Sequence, residues 1–186
     1  VFNGFISVGH AWWKIGLTNS SVKMQDIGLS NHKNAVYVNV NVGYYPQTST
    51  FPPNFSAQGM LKIKDNGSAE KHREKRLTRQ EFVNVLNYTK NIYDNPGTYV
   101  LGQQITFNTI KNITQLIIDM TGYGSTVYPG ANYVMTNEKN CVTVAKQAAA
   151  AAGISIGNTV TNGTFEEAGI NYTFVGNTPI ALYNAM

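Results

Sequence analysis

The chain has 186 residues, of which 42% are hydrophobic and 13% are charged, and its formal net charge is +4 at pH 7. This length suffices for one domain with a packed core, and a surface rich in Asn, Thr, Gly and Tyr excludes a highly charged disordered chain. The sequence contains no apolar run long enough to span a membrane, and its one cysteine excludes an internal disulfide, so the fold depends on packing alone.

The first part of the chain predicts strands. Residues 2–17 are rich in aromatic and β-branched side chains, and residues 22–29 predict a second strand after a polar turn. Residues 35–44 give the clearest strand, because valines alternate there with polar residues. The valine face is expected to pack on a core, and the polar face to line solvent or a cleft.

The middle of the chain predicts a further strand and two helices. Residues 59–64 are expected to form a short strand. Thr78 and Glu81 have the spacing of a capping box, which predicts a helix over residues 78–93. Apolar residues at helical spacing predict a second helix over residues 108–120.

Much of the positive charge is concentrated in residues 62–79. No motif that reads nucleic-acid bases accompanies these residues, so a nucleic-acid partner is not expected. The simplest interpretation is a solvated loop. The alternative is a surface that meets an acidic partner, a phosphate or an anionic cell-wall polymer.

The C-terminal part predicts a short helix that begins at Cys141 and runs into five consecutive alanines. Asn140 has the side chain of a helix N-cap, and Gly153 has the place of a C-terminal cap. Beyond this helix, the sequence predicts short strands over residues 154–160, 171–175 and 180–183.

Cys141 lies in the first turn of the predicted helix, where free backbone N–H groups and the helix dipole favour negative charge. A thiol in this place is expected to ionise more easily than a reference thiol, whose pKa is about 8.5. The alternative is that Cys141 is a small buried hydrophobic side chain. A cysteine nucleophile also requires a base within hydrogen-bond reach, normally an imidazole.

Three histidines are candidates for this base. His72 lies in the charged segment and is expected to be solvated, and His32 lies in a polar turn where a structural role is expected. His10 follows Gly9 and opens an aromatic strand, from which its ring can project into a cleft. His10 is therefore the candidate base, and a structural histidine at the edge of the core is the alternative.

Three short stretches carry a resemblance to a known group of enzymes. They are G-H-A-W at residues 9–12, G-Y-Y-P at residues 43–46, and N-C at residues 140–141, opening a helix that ends in A-A-G-I. In this order they resemble the circularly permuted papain-like hydrolases, including the NlpC-type peptidases, in which histidine precedes cysteine. The resemblance implies that Cys141 is the nucleophile, that His10 is the general base, and that the backbone N–H of Cys141 forms half of an oxyanion hole.

The resemblance also implies further site residues. The group that orients the imidazole comes from the strand beside the histidine strand, which makes Asn41 the first candidate, with Asn39 and Asp26 as alternatives. The substrate groove is expected to be lined by Trp12, Trp13, Tyr44 and Tyr45. Core packing of these rings is the alternative. No metal site and no cofactor are expected, because one cysteine and three scattered histidines lack metal-ligand spacing.

These observations together predict an α+β fold in a single catalytic domain over residues 1–186. In this arrangement, an antiparallel sheet carries His10 and packs against the helix that carries Cys141, as in the permuted papain-like group. Residues 47–132 are expected to form a largely helical insertion within the domain.

The expected function is a cysteine-dependent amidase or peptidase that works through an acyl-enzyme, with peptidoglycan stem peptide as substrate. Similar domains occur at the C-termini of bacterial polymorphic and type VI secretion toxins, which suits a chain that begins at Val1 without methionine. The resemblance thus implies a secreted antibacterial effector domain that acts in the periplasm or cell envelope of a target bacterium, where a cognate immunity protein neutralises it. The alternatives are a papain-like lipid acyltransferase or phospholipase, an isopeptidase, and a non-enzymatic cell-surface binding module.

Overall fold

A computed structural model of the chain describes residues 10–16, 38–48, 56–65, 71–110, 132–134, 137–167 and 170–186. Within these residues the fold is mixed α+β, with two antiparallel four-stranded sheets and three helices. The predicted α+β class and the antiparallel sheet are therefore confirmed. Among the described residues, no helix has both the length and the apolar character needed to cross a bilayer.

The first sheet carries the strand that follows His10. Its strands, in spatial order, are β1 (Trp12–Lys14), β2 (Asn41–Pro46), β3 (Ser56–Ile63) and β4 (Thr98–Val100). Gly43 on β2 lies opposite Trp12 on one side and Lys62 on the other, so β2 is an interior strand. The start of β1 and the end of β3 are thereby brought to the same part of the sheet.

The second sheet is built mainly from the C-terminal part of the chain. Its strands are β5 (Gln104–Ile110), β6 (Asn132–Val134), β7 (Val160–Glu167) and β8 (Ile170–Asn177), in the spatial order β6-β5-β8-β7. The hairpin of β7 and β8 is continuous from the Val160–Asn177 pair to the Glu167–Ile170 pair. The last residue of β8, Asn177, reaches the beginning of the cysteine helix.

The three helices are α1 (Arg79–Asp94), α2 (Cys141–Ala151) and α3 (Pro179–Ala185). The capping box predicted for α1 is present, because Thr78 accepts from the Glu81 N–H and the Glu81 side chain accepts from the Thr78 N–H. At the end of α2, Gly153 has φ +67° and donates to the Ala150 carbonyl. The predicted glycine cap is therefore confirmed.

The main core lies between the first sheet and helix α1. Val42 and Leu86 are fully buried there and pack with Ile15 and Phe82. Burial of each such side chain is worth about 1.5–3 kcal/mol relative to leaving it in water. A second cluster, which contains Ala11, Cys141 and Val142, lies between β1 and α2, so the predicted packing of the cysteine helix on the sheet is observed.

The strand predicted over residues 35–44 is shorter than expected in its described part, because residues 38–40 lie outside it. Strand β2 begins at Asn41, and Val38 makes only an isolated bridge to Ile15. Asn39 adopts φ +61°, in the left-handed region, and this conformation interrupts the extended backbone. Residues 35–37 and the strand predicted over residues 22–29 lie outside the described residues.

In the described residues of the segment 47–132, the largely helical insertion that was predicted is not observed. Strands β3 and β4 belong to the first sheet, and β5 is an interior strand of the second. Residues 108–110, predicted as the start of a helix, end β5, and residues 111–120 lie outside the described residues. The segment therefore forms part of both sheets and contributes one helix, α1, to the described structure.

The strand predicted over residues 180–183 is a helix. Thr178 has extended backbone and accepts a hydrogen bond from the Ala181 N–H through its side chain, and Pro179 occupies the first turn of α3. Threonine as N-cap followed by proline is a helix-start pattern. This local signal was present in the sequence and outweighs the β propensity of the residues that follow.

Candidate active site

His10 and Cys141 line one cavity of about 100 Å³ at the junction of β1, α2 and the second sheet. The remaining lining residues are Tyr99, Leu101, Asn140, Phe174, Asn177, Thr178 and Pro179. The two residues that the sequence analysis paired are thus brought together from opposite ends of the chain. The cavity also receives side chains from both sheets, so its shape depends on how the sheets meet.

Asn140 fixes the start of α2 and confirms its predicted role as N-cap. Its side-chain oxygen accepts from the N–H groups of Val142 at 3.0 Å and Thr143 at 3.1 Å. Its side-chain nitrogen donates to the carbonyls of Leu101 and Asn177, both at 3.0 Å. One amide group therefore caps the helix and ties it to the second sheet, which sets the position of the adjacent Cys141.

Glu138 also holds the start of α2 against the end of β8. One carboxylate oxygen accepts from the Asn140 side chain at 2.9 Å and from the Asn177 backbone N–H at 2.6 Å. The other accepts from the Asn177 side chain at 2.6 Å. Hydrogen bonds to a charged acceptor are about twice as strong as neutral ones, so Glu138 holds the α2 start firmly against the end of β8.

The Cys141 thiol is buried, with 8% of the residue exposed. Burial raises the pKa of the thiol, and hydrogen bonds from the Ala11 and Val142 N–H groups and from the Tyr99 hydroxyl oppose this rise without cancelling it. The expectation that the helix start makes this thiol ionise easily is therefore wrong. Desolvation of the thiolate outweighs the nearby donors, so the resting group is a neutral thiol.

Tyr99 is a site residue that the sequence analysis missed. Its hydroxyl hydrogen-bonds to both the sulfur and the backbone N–H of Cys141, and burial raises the pKa of the phenol well above its usual range. Its ring stacks on Tyr44 with centroids 5.6 Å apart. A neutral hydroxyl is therefore held next to the thiol. The contact of Tyr99 with Cys141 depends on the tertiary fold, and no local sequence pattern predicts it.

His10 lies just before β1 and stacks on Tyr45, with ring centroids 4.1 Å apart. Nε2 is buried and lies 3.4 Å from a carboxylate oxygen of Asp65, without a well-aligned hydrogen bond among the described residues. Burial lowers the pKa of the imidazole to about 4, against an upward effect of Asp65, and Lys62 lowers it further. His10 is therefore neutral at pH 7 and able to accept a proton.

The carboxylate beside the imidazole comes from Asp65, which the sequence analysis had assigned to the charged loop. Asp65 is 7% exposed and accepts a hydrogen bond from the Tyr45 hydroxyl at 2.6 Å. Its backbone N–H donates to the Asn41 carbonyl at 3.0 Å. Asp65 lies two residues after Ile63, which pairs with Val42, so the register of β2 and β3 carries it to the histidine.

Asp65 is therefore the carboxylate that lies beside the imidazole, and the sequence analysis did not name it for this position. Asn41 supports the site through its backbone carbonyl, which receives the Asp65 N–H. Asn39 lies in the left-handed turn before β2, and its backbone N–H donates to Ile15. Asp26 lies outside the described residues. Asp65 could be found only from the pairing of β2 with β3, because it lies just after the end of β3.

Gly43 allows His10 and Asp65 to approach each other. A Cβ atom at Gly43 would lie 2.5 Å from His10 Nε2 and 2.5 Å from Asp65 Oδ2. Both distances are far below van der Waals contact, so any side chain at this position would displace the pair. Gly43 belongs to one of the stretches that carry the family resemblance, and the structure gives it a steric role.

The four aromatic residues predicted to line a substrate groove have different roles. Tyr44 is fully buried and donates to the Pro96 carbonyl at 2.8 Å. Trp13 packs on the core and donates to Thr89 at 3.1 Å. These two rings are packing residues, which corrects the prediction for both. Tyr45 supports His10, and Trp12 is half-buried opposite Gly43 on β1.

The basic segment is only partly a solvated loop. His72 is exposed, as predicted, and lies 3.6 Å from Glu74. Arg73 instead donates to the Ser155 carbonyl at 3.1 Å, and Lys75 donates to the Ala152 carbonyl at 3.0 Å. The side chains of Arg73 and Lys75 therefore link the segment before α1 by hydrogen bonds to the end of α2 and the residues that follow it.

No group of three His, Cys, Asp or Glu side chains able to hold a metal ion occurs in the described parts of the chain. Comparisons of the sequence with models of protein families and with characterised proteins, and of the structure with solved structures, give no match. The functional argument therefore depends on the residues of the site itself.

Proposed function

We propose that the protein is a cysteine hydrolase in which Cys141 is the nucleophile and His10 is the general base. The observation that carries this proposal is that both side chains line the same cavity, with a buried carboxylate beside the imidazole. Nucleophile, base and a third group that orients the base are the parts that covalent hydrolysis of an amide requires. A non-enzymatic binding module would not require Cys141, His10 and Asp65 to lie together.

The reaction begins from a neutral thiol and a neutral imidazole, because burial disfavours the charged form of both groups. We assign the resting proton of His10 to Nε2, which lies 3.4 Å from Asp65, and the role of accepting the thiol proton to Nδ1. As the proton leaves, Sγ forms a bond to the carbonyl carbon of the substrate. The imidazolium then returns the proton to the departing amine, the C–N bond breaks, and a thioester remains on Cys141.

Hydrolysis of the thioester repeats these steps with water as the nucleophile. His10 takes a proton from the water, the C–O bond forms, and the thiol leaves with the proton returned by the imidazolium. Asp65 stabilises the imidazolium during both steps, because an adjacent carboxylate raises the pKa of the ring against the effect of burial.

The oxyanion formed in each step is assigned to two donors next to the sulfur. The Cys141 backbone N–H belongs to the first turn of α2, and the Tyr99 hydroxyl hydrogen-bonds to this N–H and to the thiol in the resting site. Preorganised donors in a water-poor site stabilise developing charge strongly, with one donor worth about 3–4 kcal/mol in a well-studied protease. Tyr99 therefore acts as a catalytic residue in this proposal.

The proposed substrate is an amide of the peptidoglycan stem peptide. Two things support it: the resemblance to NlpC-type peptidases, and a net charge of +4, which favours approach to an anionic cell wall. The same resemblance supports a secreted antibacterial effector that acts in the envelope of a target bacterium, with a cognate immunity protein as partner.

The test is digestion of purified peptidoglycan, followed by mass analysis of the released fragments. We expect the wild-type protein to release fragments with a new amine and a new carboxylate, and Cys141→Ala to release none while keeping its cooperative unfolding transition. Truncation of one thiol removes little buried surface, so the variant is expected to remain folded. Retained activity in Cys141→Ala would refute the nucleophile, and peptidoglycan left intact by the wild-type protein would refute this substrate.

A further inference from the structure

We propose, resting on the cysteine hydrolase function above, that Lys62 binds a carboxylate on the amine half of the substrate, which is the half that leaves when the acyl-enzyme forms. Lys62 belongs to β3 and lies on the face of the first sheet that also carries Trp12 and Tyr45. This face, called the outer face below, borders the candidate site at His10. Lys62 thus selects substrates whose leaving amine carries negative charge.

The alternation of side chains along the strands separates the outer face from the core. On β2, Val42 and Tyr44 are fully buried, and Gly43 and Tyr45 between and after them belong to the opposite face. The register places Lys62 of β3 opposite Gly43. Lys62 is exposed, as expected for a side chain that lies away from the core. The outer face is therefore open to solvent at Lys62.

The ring of Tyr45 connects Lys62 to the candidate site. The Lys62 ammonium lies 5.4 Å from the centroid of this ring, and the same ring stacks on His10 with centroids 4.1 Å apart. The positive charge of Lys62 also lowers the pKa of the His10 imidazole, so the ammonium is close enough to act on it. A leaving group held at His10 therefore comes within reach of Lys62.

The described structure provides no counterion for Lys62. Among the described residues, no carboxylate forms an ion pair with Lys62 or with Lys14, a second exposed cation on the outer face. The outer face beside His10 is therefore positive and complementary to an anion. Met60, which is 38% exposed opposite Tyr45, offers apolar contact to the chain that carries the anion.

The proposed reaction assigns this surface to the amine half of the substrate. The His10 imidazolium gives its proton to the departing nitrogen, so this nitrogen lies within hydrogen-bond reach of the ring. The acyl half stays on Cys141, which packs with Ala11 and Trp13 on the buried face of the sheet. The amine half therefore extends from His10 toward the outer face, where Lys62 lies.

The experiment compares two forms of purified peptidoglycan from which phosphate polymers have been removed. One form keeps its carboxylates, and in the other they are converted to neutral methylamides with methylamine and a carbodiimide. Initial rates of amide cleavage are measured at limiting substrate, and the preference of each protein is its rate on the native form divided by its rate on the neutral form. Comparing preferences between variants cancels any effect of the modification on the scissile bond itself.

Lys90→Gln is the matched control for Lys62→Gln, because it removes the same charge from an exposed side chain on α1. Lys90 pairs with Asp94, and α1 packs on the buried face of the first sheet. The two variants lose the same long-range attraction to an anionic polymer. Only Lys62→Gln also loses a contact beside the candidate site.

We expect the preference for native peptidoglycan to be about three- to fivefold lower in Lys62→Gln than in Lys90→Gln, which is the size of an ion pair open to solvent. Lys62→Arg keeps the charge and should keep the wild-type preference. Equal preferences in the two glutamine variants would overturn this inference and leave the hydrolase function standing. Failure of the wild-type protein to cleave either form would overturn the proposed substrate, and this inference with it.

A second measurement tests the place of Lys62 without any substrate. Burial lowers the pKa of His10 to about 4 against the upward effect of Asp65, and Lys62 lowers it further. Lys62→Gln should therefore raise the midpoint of the His10 ring-proton titration followed by NMR, whereas Lys90→Gln should leave it at the wild-type value. An unchanged midpoint in Lys62→Gln would show that the ammonium does not lie beside the imidazole, and would overturn the assignment of Lys62.

Discussion

The protonation of His10 links the site to the stability of the fold. Its pKa is about 4 in the folded protein and near 6.5 in the unfolded chain, because burial disfavours the imidazolium. The unfolded state therefore binds more protons between these two values. The stability associated with neutral His10 is fully present above pH 6.5 and is lost as the pH falls through about 4.

We accordingly expect the free energy of unfolding to fall by about 2–3 kcal/mol between pH 7 and pH 4.5 through this residue. Urea unfolding at both pH values measures this change. In His10→Gln the loss between the two pH values should be smaller by this amount, whatever its stability at pH 7. An equal pH dependence in both proteins would show that His10 is not the group that titrates.

In the proposed mechanism, Asp65 is a positioning residue that acts through His10. Asp65→Asn removes the charge that raises the imidazole pKa and favours a proton on Nε2, so kcat/KM is expected to fall by about 10²-fold or more. The acid limb of the pH–rate profile should also move to lower pH, which a purely structural role would not cause. Tyr45→Phe is the control: it removes the 2.6 Å hydrogen bond to Asp65 but keeps the charge and the stacked ring, so a smaller loss is expected.

The residues of the site differ in how far the sequence reveals them. Cys141 could be proposed from the sequence because Asn140 and the alanine run define a helix around it, and His10 because it opens an aromatic strand. Asp65 and Tyr99 could not, because their contacts depend on the pairing of β2 with β3 and of β3 with β4. The pKa of Cys141 was predicted in the wrong direction for a related reason: burial is a tertiary property.

Strand β2 contributes Gly43 to the candidate site, where the absence of a side chain leaves room for His10 and Asp65. In Gly43→Ala the new methyl group would lie within 2.5 Å of both His10 Nε2 and Asp65 Oδ2, and one or both must move. We expect kcat/KM to fall by about 10²-fold, since a displacement of about 1 Å at a catalytic group has an effect of this size. The loss of stability should be about 1–3 kcal/mol, typical of overpacking.

Gly157→Ala is the matched control for this variant, because a Cβ at Gly157 meets no atom within 4 Å. Its activity and thermal midpoint should equal those of the wild-type protein. Wild-type activity in Gly43→Ala would show that His10 and Asp65 are not held as the structure describes.

Elements with strong local signals were predicted from the sequence, and elements defined by partners were not. Helices α1 and α2 carry their own caps, and both occur where expected. Helix α3 also carries a cap, at Thr178, but its short apolar sequence was interpreted as a strand. The alternation of valines over residues 35–44 suggested one strand, but strand β2 begins at Asn41, after the left-handed Asn39.

At the scale of the whole molecule, the site forms where two sheets meet at the start of α2. The segment predicted as an insertion contributes β3 and β4 to one sheet and β5 to the other, so it cannot be removed without dismantling both. Pairing of strands that are distant in the chain has no local signature, which explains why the sequence could indicate the sheet and the helix but not the arrangement that joins them.

Glu138 tests this view of the junction, because its carboxylate accepts three hydrogen bonds that join α2 to β8. Glu138→Gln replaces one acceptor oxygen with an NH₂ group that would face the donor of the Asn177 side chain. Since a buried donor without an acceptor costs about 1–3 kcal/mol, we expect a loss of this size in the free energy of unfolding.

Activity should fall together with stability in Glu138→Gln, because the α2 start that carries Cys141 is held by the same hydrogen bonds. The control is Glu74→Gln, which changes an exposed side chain near His72 and should leave urea unfolding and acyl transfer unchanged. If the two variants unfold at the same urea concentration, the junction does not depend on Glu138. If only Glu138→Gln loses stability and slows acylation of Cys141, the contact between α2 and β8 both stabilises the fold and positions the proposed nucleophile.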